Sequence, residues 1–198
     1  MKVLIDNGHG SNTSGKRSPD GTLREYAYTR EIASRIVERL QSLGYDAERI
    51  VTETTDVPLY ERCKRVNRIC RQLGTKNVLL VSVHLNAAGM GDWRSARGWS
   101  VHISLNASKR SKRLASLLCA AAENEGLTIR RPMPSQDWWV QNLAMCRDTY
   151  CAAVLTENLF QDNKQDVAFL QSEVGKESIV NLHIEGITAY INEINSSK

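Results

Sequence analysis

Two apolar segments of this 198-residue chain each run into a histidine: Lys2-Val3-Leu4-Ile5-Asp6-Asn7-Gly8-His9-Gly10 and Val78-Leu79-Leu80-Val81-Ser82-Val83-His84-Leu85-Asn86. Both read as buried strands, and in an open α/β sheet ligands bind beyond the carboxyl ends of parallel strands. Two imidazoles delivered there together suggest a metal site, since histidine is the commonest metal ligand. A catalytic zinc takes three protein ligands from His, Glu, Asp and Cys and keeps one position open. Glu25, just after the polar loop that follows His9, is the acidic candidate. Taken alone, it serves equally as a partner of the helix dipole, an effect of about 0.3–1 kcal/mol. A single imidazole at a strand end is just as readily a hydrogen-bonded structural group. A fourth residue shifts the balance. The apolar run Ala152-Ala153-Val154-Leu155-Thr156 leads into Glu157, placing a carboxylate at another strand end. An unpartnered charge is costly to bury there, and a nearby metal with its water supplies a reason for it.

The elements that must position these groups alternate along the chain. A strand at Val3 to Ile5 is followed by a loop over residues 6–22, then by a helix from Glu25 to Leu43 with Ile32, Ile36, Val37 and Leu40 at helical spacing. Gly44 stands in the usual place for a helix terminator. Ala47 to Thr52 reads as a second strand. A basic helix over Leu59 to Leu73 carries the apolar stripe Leu59, Cys63, Val66, Ile69, Cys70 and Leu73, with its arginines and lysines largely opposite. Strands at Val78 to Val83, Trp99 to Ser104 and Ala152 to Thr156, a helix from Lys109 to Glu125 and a long terminal helix complete the pattern, which shows no internal repeat and no linker. Such alternation predicts an α/β fold: a single domain over 1–198 with a twisted, mostly parallel sheet and helices on both faces.

Composition narrows the classes. The chain is long enough to bury roughly 70% of its unfolded surface, so no metal or disulfide is needed simply to hold it together. Lys plus Arg is 26 against Asp plus Glu 22, a net charge of +4, and with no nucleic-acid motif this argues against a nucleic-acid partner. The stripe on the basic helix marks it as an amphipathic surface helix rather than a nucleic-acid face. The five cysteines are odd in number and lack a Cys-x-x-Cys pair, so they read as reduced thiols. No apolar stretch approaches the ~20 residues that span a bilayer, and Met1-Lys2 leads directly into a short strand rather than a secretory signal. The expectation is synthesis in the cytoplasm, as a monomer.

The residues then show a specific likeness. Asp6-Asn7-Gly8-His9-Gly10, Glu25, Ser82-Val83-His84-Leu85-Asn86-Ala87 and Leu155-Thr156-Glu157-Asn158-Leu159-Phe160, in this order, resemble the zinc-dependent N-acetylmuramoyl-L-alanine amidases of the amidase 3 family. Asp56, Leu59, Arg62 and Asn67 before the second histidine strand resemble the family's spaced Asp, Leu, Arg and Asn. The likeness covers nearly the whole chain. It implies a phosphorylase/hydrolase-like fold, Zn2+ bound by His9, Glu25 and His84, and Glu157 as the catalytic carboxylate. It implies hydrolysis of the amide between N-acetylmuramic acid and L-alanine in peptidoglycan or muropeptides. One departure is Asn7, where the family commonly has proline; another is Gly89 to Gly98 with Trp93, which looks like an insertion beside the substrate groove.

With no separate wall-binding domain and no secretory signal, release by a phage lysis system is the expected route to the wall, as for a phage or prophage endolysin; muropeptide recycling is the other enzyme role. The competing readings are a non-catalytic peptidoglycan-binding module on the same fold and a zinc hydrolase of another amide or ester. Asp6 is expected either to orient a ligand imidazole or to cap its loop. Asn86 and Arg62 contact substrate or order the site, and Pro132 to Asn142, with Trp138 and Trp139, forms either a sugar or peptide platform or ordinary packing. His102 and His183 carry no motif.

Overall fold

In the computed structural model, which describes residues 1–196, the apolar runs become the centre of one sheet. β1 (Lys2–Asn7), β3 (Val78–Asn86) and β6 (Ala152–Phe160) lie side by side and parallel, with Val3 opposite Leu79 and Val81 opposite Val154. β2 (Asp46–Arg49) extends the sheet beyond β1, and β4 (Ser100–Ile103) and β5 (Trp138–Val140) extend it beyond β6, giving the order β2-β1-β3-β6-β4-β5. The β4–β6 pairing is antiparallel and the other pairings are parallel. The mostly parallel sheet is therefore as expected, with β4 and β5 running against the rest.

Continuous apolar sequence in the central strands follows from burial on both faces. Val3, Ile5, Leu79, Val81 and Val154 meet the larger core beneath α1 (Glu25–Ser42), α3 (Lys109–Asn124) and α6 (Glu173–Ser196). Leu4, Leu80 and Ala153 point the other way, toward α2 (Leu59–Leu73) and the short α4 (Ala144–Arg147). Helices thus cover both faces. α5 (Lys164–Gln171) starts at Asn163, whose side chain accepts from the Gln165 and Asp166 amides.

Several boundaries differ from the sequence expectation for physical reasons. β3 and β6 run on to Asn86 and Phe160 because they pair with each other, so His84 and Glu157 lie within paired strands rather than just past their ends. The register shifts between His84 and Asn86, and Leu159 takes a left-handed φ of 67° at that irregularity. β2 is shorter than Ala47 to Thr52 because its pairing with β1 stops at Ile5 opposite Arg49. β5 and α4 occupy the stretch expected to be loop; elements of three and four residues are too short to show a period. In α2 the stripe is narrower: Cys63, Val66 and Cys70 are buried, Leu59 and Leu73 are exposed, and Arg62 is drawn inside. All five cysteines are free thiols, and no helix among the described residues is long and apolar enough to cross a membrane.

α6 packs closely against α3 at Gly186, where a Cβ would stand 2.7 Å from Leu118 Cδ2 and 2.9 Å from its Cα. Alanine gains about 1 kcal/mol of helix propensity over glycine, but overpacking typically costs about 1–3 kcal/mol. Because the clash includes a backbone atom, overpacking should win. Gly186→Ala is expected to lower stability by about 1–2 kcal/mol in urea unfolding; unchanged or increased stability would show that the helices separate freely.

Candidate metal centre

His9 is held by a strained turn. After β1, the Gly8 amide donates to Val83 O at 3.0 Å, keeping the chain against β3 for one more residue. His9 then adopts φ 59°, in the left-handed region that side chains with a Cβ disfavour. Its carbonyl accepts from Arg30 Nη2 at 3.0 Å and Arg62 Nη2 at 3.1 Å, so two guanidinium groups fix the turn. The flanking glycines are required by close approach. A Cβ on Gly8 would lie 2.5 Å from two ring atoms of His84, and one on Gly10 would lie 1.9 Å from the Asp56 nitrogen.

Arg62 is the hub beneath this turn. Its Nε donates to Val57 O (2.7 Å), Nη1 to Asp6 Oδ1 (2.8 Å) and Asn7 O (2.7 Å), and Nη2 to Asp56 Oδ1 (2.8 Å) as well as to His9 O. Only 2% of Arg62 and 1% of Asp6 is exposed, so the pair is fully enclosed. The other Asp6 oxygen accepts from Ser82 Oγ at 2.5 Å. Asp6 therefore neither orients an imidazole nor caps a loop; it ties β1 to α2 and β3. Asp56 Oδ2 accepts from Thr13 Oγ1 at 2.6 Å, which anchors the loop after His9. The Asn7 carbonyl is used by Arg62, while its buried side-chain amide has no partner.

The structure brings His9, Glu25 and His84 together. One ligand atom from each lies within 4.8 Å of the other two. Glu25, the first residue of α1, is completely buried; its Oε1 accepts from the Leu85 amide (2.9 Å) and lies 3.2 Å from His84 Nδ1 and 3.5 Å from His9 Nε2. The two imidazole centroids are 5.1 Å apart, with planes at 85°. Burial pushes the Glu25 carboxyl upward, but the hydrogen bond and charge of His84, then His9 and the Leu85 amide, outweigh it and hold the group below its usual range. For His84, burial is likewise outweighed, chiefly by Glu25, and its pKa is raised. Burial, joined by His84 and Lys16 and opposed by Glu25, brings His9 down to about 4.

Two features of this cluster fit a cation. Glu25 Oε2 is buried without a hydrogen-bond partner, and an orphaned carboxylate oxygen in a dry position is costly. Two imidazole nitrogens and one carboxylate oxygen are also a donor set that suits zinc. His9 and His84 line an open cleft of about 360 Å³ together with Asp56, Val57, Pro58 and Leu59.

Glu157, on β6, lies directly opposite His84 of β3 and Ser100 of β4. Its Oε2 is buried without a partner. Burial raises its pKa to about 7; His84 and Lys16 oppose the shift and Glu25 adds to it. The next residue, Asn158, donates to His84 O at 3.0 Å and accepts from Trp99 Nε1 at 2.9 Å, locking the irregular end of β3 onto β6. Arg30 and Asn158 are supporting residues that sequence reasoning did not single out. The only signal was the adjacency of Asn158 to Glu157; Arg30 has none, because its bond to the His9 carbonyl is set by the path of the loop.

The remaining candidates are structural or peripheral. His183 is buried between Thr156 Oγ1 (3.0 Å) and Ile179 O (2.7 Å). His102 meets Ser100 Oγ at 3.0 Å and stacks on Trp139 with centroids 6.5 Å apart. Trp138 packs against the main core, whereas Trp139 donates to Arg130 O and lines a shallow pocket with Asn86, His102, Arg130 and Phe160. Asn86 Oδ1 accepts from the Ala87 amide. The Gly89 to Gly98 stretch is pinned to the start of α5: Asp162 Oδ2 accepts from the Ala88 and Gly89 amides, and Asp166 Oδ2 from Gly98.

A helix-borne carboxylate, an imidazole within β3 and another on the turn after β1 of a mostly parallel sheet define the class, an α/β domain with a candidate site for one divalent cation. The chain belongs to the N-acetylmuramoyl-L-alanine amidase family Amidase_3, which it matches over residues 3–189. It is similar to an endolysin of Bacillus phage SPP1, 28% identical over 196 residues that make up 96% of this chain and 66% of the endolysin, so the chain spans just under two thirds of that relative. Its fold is that of the catalytic domain of CwlV, an N-acetylmuramoyl-L-alanine amidase from Bacillus (Paenibacillus) polymyxa var. colistinus, with a TM-score of 0.80, 23% identity and coverage of 97% and 98% of the two chains. The amidase Ami1 from Mycobacterium smegmatis superposes with a TM-score of 0.82 at 17% identity, covering 98% of this chain and 97% of Ami1.

Removing Arg62 should disturb the whole turn. Breaking a buried ion pair by deleting one partner typically costs about 3–5 kcal/mol. Arg62→Ala is expected to lose about that much stability in urea unfolding, and Asp6→Asn less, because the amide oxygen still accepts from Arg62 while its NH2 can donate to the Ser82 hydroxyl. Equal, small losses for both would show that the pair is not the anchor of the turn.

Proposed function

We propose that this chain hydrolyses the amide between N-acetylmuramic acid and L-alanine in peptidoglycan or muropeptides, with His9, Glu25 and His84 holding zinc and Glu157 acting as the catalytic carboxylate. The observation that carries the reading is the convergence of three ligand atoms within 4.8 Å around the unpartnered Glu25 Oε2, in a member of this amidase family. Zinc, when bound, supplies Lewis-acid polarisation of the scissile carbonyl.

The protein groups do the rest. Arg62 and Arg30 hold the His9 turn, the Leu85 amide aims Glu25, and Asn158 fixes the carbonyl of His84, so the three ligands are preorganised by their supports. Glu157 accepts a proton from the attacking water and delivers it to the alanine nitrogen as the C–N bond breaks. The water oxygen stays on the lactyl carbon, leaving a lactyl carboxylate and a peptide with a new L-alanine amino terminus. The likeness to the phage endolysin supports action on the wall after release during phage lysis.

Zinc-loaded protein incubated with peptidoglycan is expected to yield new L-alanine amino termini by mass spectrometry, and Glu157→Ala to lose at least about 100-fold of that rate. Equal release by both proteins would remove Glu157 as the catalyst. Chelation is expected to abolish release, with zinc alone restoring it. His9→Ala and His84→Ala should each retain less than about a tenth of the zinc affinity; full zinc retention in both would rule out this ligand set.

A further inference from the structure

Between His9 and Glu25 the chain forms a hairpin. The Glu25 amide donates to Lys16 O at 3.0 Å, Ser18 N donates to Leu23 O at 2.8 Å, and Arg17 and Arg24 form an antiparallel bridge. One strand of the hairpin thus enters α1 through Glu25 itself. Its single acidic residue, Asp20, is turned onto the hairpin's own tip, where it accepts from Ser18 Oγ (2.6 Å), the Thr22 amide (3.1 Å) and Thr22 Oγ1 (2.9 Å).

That leaves the cations without counter-charges. Lys16, Arg17 and Arg24 line one groove of about 250 Å³, walled by Tyr26 and the polar turn at 11–15. Among the described residues none of the three side chains makes an ion pair or hydrogen bond, whereas Arg35, Arg39, Arg62 and Arg65 are each paired with a carboxylate.

 

Like charges placed directly opposite, as Arg17 and Arg24 are, destabilise a strand pair. An anion between the two exposed guanidinium groups would relieve that repulsion. The Lys16 carbonyl accepts from the amide of Glu25, which places the groove's inner end beside the candidate centre, and the charge of Lys16 is felt at both His9 and Glu157.

We propose that Lys16, Arg17 and Arg24 form a subsite for a free carboxylate on the peptide half of the substrate. This rests on the amidase reading for the identity of the ligand. The peptide half of a muropeptide carries free carboxylates, whereas the lactyl carboxyl of the sugar half is consumed in the scissile amide. The groove therefore receives the leaving peptide, and Lys16, Arg17 and Arg24 act as specificity-determining residues that touch the substrate away from the bond that breaks.

The test uses the product peptide L-alanyl-γ-D-glutamyl-L-lysine, with both of its carboxylates free or both amidated, titrated calorimetrically into the intact zinc-loaded protein. The free carboxylate is expected to bind at least tenfold more tightly than the amide. The triple variant K16Q/R17Q/R24Q is expected to bind both forms alike, and K16R/R17K/R24K to keep the preference, which separates charge from folding. Equal binding of the two peptides by the unaltered protein, or a preference that survives neutralisation, overturns the subsite. Muropeptide cleavage measured in parallel keeps the two readings apart. A carboxylate preference without cleavage supports the subsite and contradicts the amidase activity, and cleavage without a preference overturns the subsite alone.

Discussion

A buried carboxylate with one oxygen unsatisfied is the constraint on which this structure turns. Glu25 is fully enclosed, its Oε1 shared by the Leu85 amide and two imidazoles, its Oε2 without a partner. Leaving a buried acceptor unpaired costs about 1–3 kcal/mol, and more for a charged group. The surrounding elements accept that cost and hold the carboxylate in place. The start of α1 carries it, β3 supplies an amide and an imidazole to it, and the turn after β1 brings the second imidazole.

The same logic runs outward from the centre. His9 reaches the cluster only through a left-handed turn, and that turn persists because Arg30 and Arg62 both bind its carbonyl. Arg62 is in turn enclosed by Asp6, Asn7, Val57 and Asp56, which links the ends of β1, α2 and the loop between β2 and α2. Local strain at a functional position is thus carried by a network of charge-assisted hydrogen bonds. Glu157 joins the site through the β3–β6 pairing, and Asn158 secures that pairing where its register shifts.

Much of this was legible in the chain. The apolar runs at Val3 to Ile5, Val78 to Val83 and Ala152 to Thr156 marked the three central strands, and His9, His84 and Glu157 could be read from the residues that follow them. Glu25 was legible only in combination with the histidines, since a glutamate in a first helical turn has an ordinary role. Arg62 could be read only as contacting substrate or ordering the site, because helical spacing shows which way a side chain points and not which carbonyls wait beneath it. The three-residue β5 and four-residue α4 were hidden because short elements leave no periodic trace. The unpaired cations of the 16–24 hairpin became visible only once the fold showed that Asp20 turns away from them.

The most direct test of the central claim is anomalous X-ray scattering at the zinc absorption edge from crystals of the zinc-loaded protein. A single strong peak about 2.0–2.2 Å from one atom each of His9, Glu25 and His84 is the predicted result. No peak there, or a peak held by other residues with the Glu25 carboxylate turned away, would contradict it.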